Sequence, residues 1–310
     1  MSDAAIRIAG VRKRYGALKA LDGVDLAVCQ GEFFGLLGPN GSGKTTTIHM
    51  LATLLAPSAG SILIDGLDIA KDPLQARKKI GLVFQDSSLD GTLSIEQNLL
   101  FCAGLQGLSL KASRERLQEL LPLFDLQDRR HAPVASLSGG MRRAVDILRG
   151  IVHRPRVLFL DEPTVGLDLP SRKRIWHFVR RQISEHGMTV VLTTHYLEEA
   201  APCDQVCFIR QGQAIARGRP DALVHELGDR ILEIEAKDIA RLPPLLHLKQ
   251  NDFLMEGNTL LVREHSDTRI SLEEIQQQLA EQVETLRIRK PNLNDVFLWL
   301  TSGAEEERTC

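Results

Sequence analysis

The chain has 310 residues, of which 43% are hydrophobic and 25% charged, with a formal net charge of −2. Those values belong to an ordinary globular protein of one large or two modest domains. They exclude a disordered or fibrous chain and give no reason to expect nucleic acid or an acidic substrate as a partner. No apolar stretch approaches the roughly 20 residues that span a bilayer. The start, Met1-Ser2-Asp3-Ala4-Ala5, lacks the basic and apolar regions of an export signal. The expectation is a cytosolic protein that reaches a membrane only through partners. Five cysteines, Cys29, Cys102, Cys203, Cys207 and Cys310, are scattered. Their spacing predicts neither a disulfide framework nor a zinc site.

In chain order, residues 6–15 and 21–28 alternate as short strands do. Phe33-Phe34-Gly35-Leu36-Leu37 is a continuous apolar run, the pattern of a strand buried on both faces. A Gly-rich loop follows over 38–45, then a helix from Thr45. Residues 57–60 read as a turn and 61–64 and 81–84 as strands. One helical pattern runs from about 94 to 126. Val157-Leu158-Phe159-Leu160 is another buried strand, ending in Asp161-Glu162. A helix over 172–185 leads to a strand over 189–193, which ends at His195. Strands alternating with helices predict a largely parallel sheet, with ligands outside the carboxyl ends of its strands. After about Gly218 the texture changes. Strands are expected at 230–236, 259–262 and 286–288, a break at 242–245, helices at 271–282 and 294–300, and a frayed polar tail over 302–310.

Gly38-Pro39-Asn40-Gly41-Ser42-Gly43-Lys44-Thr45 matches GxxxxGK[ST] in full. Its glycines let backbone N–H groups turn inward around phosphates where a Cβ would clash. The helix behind the loop, with Thr46 at its start, begins at the phosphates and adds unpaired N–H groups and its positive end. Lys44 is predicted to reach the β- and γ-phosphates and Thr45 to bind Mg²⁺ through its hydroxyl. Asp161 and Glu162 sit at a strand end, where adjacent side chains point to opposite sides. Ser138-Gly139-Gly140, at the head of a helical stretch over 141–150, is a second device able to meet a phosphate.

Leu137-Ser138-Gly139-Gly140-Met141, about twenty residues before Asp161, together with the loop over 38–45, resembles the ATP-binding subunit of ABC transporters, whose signature is LSGGQ. The resemblance covers residues 5–220 closely. It implies an α/β fold of the P-loop NTPase type: a mainly parallel core sheet, an antiparallel β subdomain and a helical subdomain over about 86–150. Residues 221–310 are expected to form a small C-terminal α/β appendage. The resemblance implies that Asp161 holds Mg²⁺, that Glu162 is the general base toward the attacking water, and that His195 contacts the γ-phosphate. It implies that Tyr15 stacks on adenine, that Gln85 touches Mg²⁺ and signals to a membrane partner, and that Asp168 lies at a dimer seam. By itself Tyr15, a lone Tyr on a strand, reads more often as a packing residue, and a lone His is usually a surface residue, although His195 at a strand's carboxyl end suits a reach toward a phosphate. Met141 departs from the usual Gln of the signature, as it does in many drug-exporter ATPases.

In that family the signature of one copy meets the ATP held by another. One chain carries one copy of each half, so the resemblance implies a second copy of itself or a paralogue as partner. It also implies a separate membrane permease, with the subunit peripheral on the inner face of the cell membrane. The ending Pro291-Asn292-Leu293-Asn294-Asp295-Val296-Phe297-Leu298-Trp299-Leu300-Thr301 resembles the close of the drug-resistance (daunorubicin-type) ATPases that work with ABC-2 type permeases. The expected function is ATP hydrolysis driving an exporter. The alternatives are an importer subunit, a non-transport ATPase of the same family, and a binding module without turnover. Lys44 and Ser138 lie too close in sequence for the long coiled-coil insert of non-transport members, and the full set Lys44, Asp161, Glu162 and His195 speaks against a module without turnover.

Overall fold

The computed structural model describes residues 4–265, 270 and 282–306. The chain divides into two compact units. The first holds the residues up to Tyr196 together with Pro202–Arg217; the second holds Leu197–Ala201 and the described residues from Gly218 onward.

The first unit is built on two sheets. β1 (Ala4–Tyr15) and β2 (Leu18–Cys29) form an antiparallel hairpin. Its two-residue turn begins at Gly16, whose φ of 57° is the kind such turns require. β4 (Ala59–Ile64) pairs with the other side of β1, and β5 (Leu67–Asp68) with β4, giving the order β2-β1-β4-β5. Arg7 stays outside between the buried Ile6 and Ile8, and a register shift after Ile8 brings Val11 into the core.

The second sheet comprises β3 (Phe33–Leu37), β6 (Ile80–Val83), β7 (Val157–Asp161), β8 (Thr189–Thr194), β9 (Gln205–Arg210) and β10 (Gln213–Gly218), in the order β10-β9-β3-β8-β7-β6. From β9 through β3, β8 and β7 to β6 each neighbouring pair is parallel. Every residue of β3, β7 and β8 is buried, which explains their unbroken apolar runs. Cys207, within β9, packs in this core, and burial pushes its thiol up to about 11.

The helices are α1 (Lys44–Leu51), α2 (Pro73–Lys79), α3 (Ile95–Leu105), α4 (Leu110–Leu120), α5 (Gly139–Ile151) and α6 (Leu169–His186). α3, α4 and α5 pack together as the helical subdomain. The single helix expected over 94–126 is two. Gly107 takes a φ of 84°, and Ser109 restarts the chain by accepting from Ala112 N at 3.2 Å. A 3-10 turn over Leu121–Phe124 then ends it. Ser94 and Gln97 form a reciprocal cap at the head of α3. α2, β5, β9 and β10 had no strong periodicity to announce them.

In the second unit, α7 (Pro220–Glu226) precedes β11 (Arg230–Ala236), α8 (Leu242–Leu245), β12 (Phe253–Glu256), β13 (Thr259–Glu264), β14 (Val283–Arg289) and α9 (Leu293–Glu306). The strands form one antiparallel sheet ordered β12-β13-β11-β14. Leu232, Ile234, Leu242, Leu260 and Val262 make its core. The break expected at 242–245 is instead one helical turn. Its prolines sit in the first turn, where a missing N–H costs nothing. The last helix runs through Glu306, beyond the end expected at 300. The helix expected at 271–282 falls almost wholly outside the described residues, as does the end of the tail at 307–310. No helix among the described residues is long and apolar enough to cross a membrane.

One charged cluster joins β14, β11 and α9. Arg289 donates to both carboxylate oxygens of Asp295, at 2.6 and 2.7 Å, and to Glu233 Oε1. Asp295, 1% exposed, also accepts from Asn292 N at 2.8 Å and so fixes the entry to α9. Asp295→Ala leaves a guanidinium half-paired and removes that cap. The expected loss is about 2 kcal/mol, seen as faster hydrogen exchange of β11 and β14 amides; unchanged exchange would show the cluster to be dispensable.

Candidate nucleotide-binding site

β3 ends at Leu37, and the chain must reverse at once to start α1. Gly38 does this with a φ of 152°, and a Cβ there would lie 2.1 Å from the carbonyl oxygen of Ile209. Gly43, the N-cap of α1, takes a φ of 113° with the Ala20 carbonyl and Leu21 side chain packed against it. These glycines are needed because neighbouring strands press on the loop from behind. Thr47 Oγ1 donates back to Gly43 O at 2.9 Å and steadies the first turn. Ser42 Oγ is buried without a hydrogen-bond partner.

Lys44 is 5% exposed. Its ammonium donates to the carbonyls of Gly38, at 2.9 Å, and Pro39, at 3.1 Å, and so is folded over the loop. Burial pushes it below the ordinary lysine range, and the nearby Glu162 and Asp161 oppose that. Thr45 Oγ1 donates to Asp161 Oδ1 at 3.4 Å. Thr193, on β8, donates its hydroxyl to the same Asp161 oxygen.

The strand ends at Asp161. Glu162 is not a strand residue: its φ is 45°, left-handed backbone that a glutamate seldom adopts. Its N–H donates to the carbonyl and the hydroxyl of Thr193, at 3.1 and 3.2 Å. The strand alternation expected to separate the two carboxylates therefore does not apply, and the turn aims Glu162 instead. Glu162 Oε1 lies 3.1 Å from His195 Nδ1. The His195 ring packs against that of Tyr196, with centroids 4.0 Å apart and the planes tilted by 39°.

These groups border one cleft of about 750 Å³. Tyr15, Asn40, Gly41, Gly43, Thr46 and Gln85 line it as well as Lys44, Thr45, Glu162 and His195. Tyr15 is 46% exposed at its rim, with Lys13 Nζ 5.3 Å from the ring centroid. Gly38, Pro39 and Ser42 form the loop behind it, and Asp161 lies beneath.

Ser138, Gly139, Gly140 and Asp168 do not line this cleft. Ser138 caps α5 by accepting from Met141 N at 3.3 Å. Gly139 faces open space, whereas a Cβ on Gly140 would strike Ser171 Oγ. Asp168 caps α6, accepting from Ser171 N at 2.7 Å, which holds its carboxyl below the usual range. The heads of α5 and α6 thus meet at Ser171, away from Lys44.

The sequence model of the ABC transporter family matches residues 21–165. Daunorubicin resistance ATP-binding protein DrrA2 of Streptomyces coeruleorubidus is 40% identical, over 99% of this chain and 98% of its own length. The chain belongs to the ATP-binding subunits of ABC transporters. Nod factor export ATP-binding protein I of Ralstonia nicotianae is 38% identical over 96% of the chain and 93% of its own length. Among solved structures, an ATP-binding subunit of an ABC transporter superposes with a TM-score of 0.66 at 30% identity, covering 72% of this chain and 92% of that one. A dimeric cassette bound to ADP and Pi after hydrolysis superposes at 0.64 and 27% identity, covering 69% and 98%. As an ABC ATPase the chain binds and hydrolyses ATP, and its fold is the P-loop cassette with core sheet, antiparallel sheet and helical subdomain.

Sequence reasoning missed three residues of this ABC ATPase's cleft and its support. Thr193 orients both acidic residues, Tyr196 packs against His195, and Arg143 lies behind the carboxylates. Thr193 and Tyr196 lie within two residues of His195 in sequence, which was their only signal. Gly38→Ala is expected to cost more than about 3 kcal/mol and to abolish nucleotide binding. Gly41→Ala, which meets nothing within 4 Å, pays only the strain of its φ of 78°, about 1 kcal/mol. Thermal melts and a fluorescent-nucleotide titration of both variants check the ranking.

Proposed function

We propose that the chain powers an exporter by ATP-driven pairing of two copies, or of one copy with a paralogue, beneath a separate permease. One observation carries the reading: the cleft gathers Lys44, Thr45, Glu162 and His195, while Ser138-Gly139-Gly140 heads a helix outside that cleft, where a Cβ on Gly139 would meet nothing within 4 Å. A site with its phosphate loop on one surface and a second anion-ready helix start on another is complete only when two chains meet. Exporter direction is supported by the printed functions of the relatives, drug resistance and Nod factor export. The ending at 291–301 further favours an ABC-2 type permease. The place of action is then the inner face of the cell membrane, reached through that permease. Residues 5–220 are the ATP-binding domain and 221–310 an accessory domain.

The residues divide the chemistry as follows. Tyr15 stacks on the adenine. Gly38, Pro39, Asn40, Gly41, Ser42 and Gly43 wrap the phosphates with backbone N–H groups, Thr46 joins them at the helix start, and Lys44 swings from the loop carbonyls to the β- and γ-phosphates. Thr45, Asp161 and Gln85 present the hard oxygen donors that suit Mg²⁺, and the 3.4 Å approach of Thr45 Oγ1 to Asp161 already brings two of them together. When bound, the ion neutralises charge on the phosphates. Glu162 takes the proton of the attacking water, help typically worth ~10² to 10⁴ in rate. His195, 3.1 Å from Glu162, donates to the γ-phosphate. From the second chain, Ser138, Gly139 and Gly140 close over the γ-phosphate, with Asp168 at the seam. Positioning and electrostatics supply the catalysis.

Glu162→Gln is expected to bind ATP, form a stable dimer on size exclusion and lose nearly all turnover; hydrolysis at the wild-type rate would remove Glu162 as the base. Ser138→Arg is expected to abolish turnover while a fluorescent ATP analogue binds as before. Equal loss of binding in a folded Ser138→Arg protein would argue against a site shared by two chains.

A further inference from the structure

Arg143 is 7% exposed and lies one and a half turns into α5, directly behind the acidic end of β7. Its guanidinium spends its donors on five main-chain carbonyls. Nη2 donates to Asp161 O and Glu162 O, both at 3.2 Å, and Nε to Pro163 O at 2.6 Å. Nη1 donates to Phe84 O at 2.5 Å and Gln85 O at 3.4 Å. Three segments far apart in sequence therefore converge on one side chain: the turn that carries the two carboxylates, the loop after β6 that carries Gln85, and the helix headed by Ser138. Six residues further along α5, Arg149 donates to Ser88 O at 2.9 Å and to the Ser88 hydroxyl. The segment 84–88 is thus held at both ends by one helix. Asp86, Asp146 and Asp161 supply the negative charge that offsets the buried guanidinium.

Backbone carbonyls at a strand end and in an exposed loop would ordinarily be met by water. Here a planar fork satisfies five of them at once, which a lysine's point charge cannot reproduce. Holding Asp161 and Glu162 by their own carbonyls also braces the left-handed turn at Glu162, which costs energy unless its surroundings over-determine it.

We propose that Arg143 is a positioning residue for hydrolysis: it ties the Gln85 loop, the Asp161-Glu162 turn and the signature helix into one unit, so that displacement of the loop shifts Glu162 and Ser138 together. The proposal rests on Glu162 acting as the base. It assigns Arg143 no contact with ATP; its effect runs through the groups it holds.

The test compares Arg143→Lys and Arg143→Gln with Ile147→Ala, a fully buried residue of the same helix outside the site, in the full-length chain. Arg143→Lys is expected to lower kcat on the order of 10- to 100-fold, the cost of a misplaced reacting group. KM for ATP should stay within about twofold. Ile147→Ala should lower the melting temperature at least as much while leaving kcat within about threefold. In the Glu162→Gln background, Arg143→Lys should still give the ATP-bound dimer. Wild-type kcat in Arg143→Lys, a loss no larger than that of Ile147→Ala at equal melting temperature, or failure of both Arg143 variants to fold would each overturn the proposal and leave Arg143 a packing residue. Activity in Glu162→Gln alone would instead overturn the base assignment, whatever Arg143 does.

Discussion

The left-handed turn at Glu162 is the constraint around which the cleft is arranged. β7 runs buried to Asp161, and the next residue leaves the sheet with a φ of 45°. Thr193 pins this turn from β8, through two bonds to the Glu162 N–H and one to the Asp161 carboxylate. Arg143 pins it from α5 through the carbonyls. Strained backbone of this kind persists only where packing over-determines it, and such places cluster at active sites. The gain is directional. One carboxylate faces Thr45 and the other faces His195, although they are neighbours in sequence.

The phosphate loop, at the carboxyl end of β3, obeys the same logic. Gly38 and Gly43 are pressed by Ile209, Ala20 and Leu21, so the loop's shape is imposed by strands that belong to both sheets of the unit. Lys44 gives up bulk solvation to sit there, and the loop carbonyls and the two carboxylates compensate it. A buried cation held near paired acids, in a cleft open enough for a nucleotide, is an arrangement poised for an anionic ligand. The signature helix is capped by Ser138 at some remove from this cleft.

Much of this was legible from residue order. Unbroken apolar runs marked β3, β7 and β8 because a parallel sheet covered on both faces has no solvent side to pattern. The phosphate loop and the acidic pair stood out because each interrupts such a run at its carboxyl end, where α/β sheets bind ligands. Short or weakly patterned pieces, α2, β5, β9 and β10, were lost for the converse reason. The long helical pattern over 94–126 hid a break because the apolar period resumed almost in phase after Ser109, and only Gly107 and the cap revealed it. In the second unit the two prolines of 242–245 read as a break, yet a first helical turn tolerates them.

By itself the sequence determined the chemistry available: a Gly-rich loop with Lys44 and Thr45, two adjacent acids, a histidine after a buried strand, and a second Ser-Gly-Gly helix start. These are local, since each depends on backbone freedom or side-chain type within a few residues. Which way those groups point was decided only by the tertiary structure. The aim of Glu162 depends on a threonine 31 positions later and an arginine 19 positions earlier. The separation of Ser138 from Lys44 depends on how α5 packs beside β6 and β7. Hydrogen bonds between distant segments leave no periodic trace in a sequence, so Arg143 and Thr193 become visible only when the chain is folded.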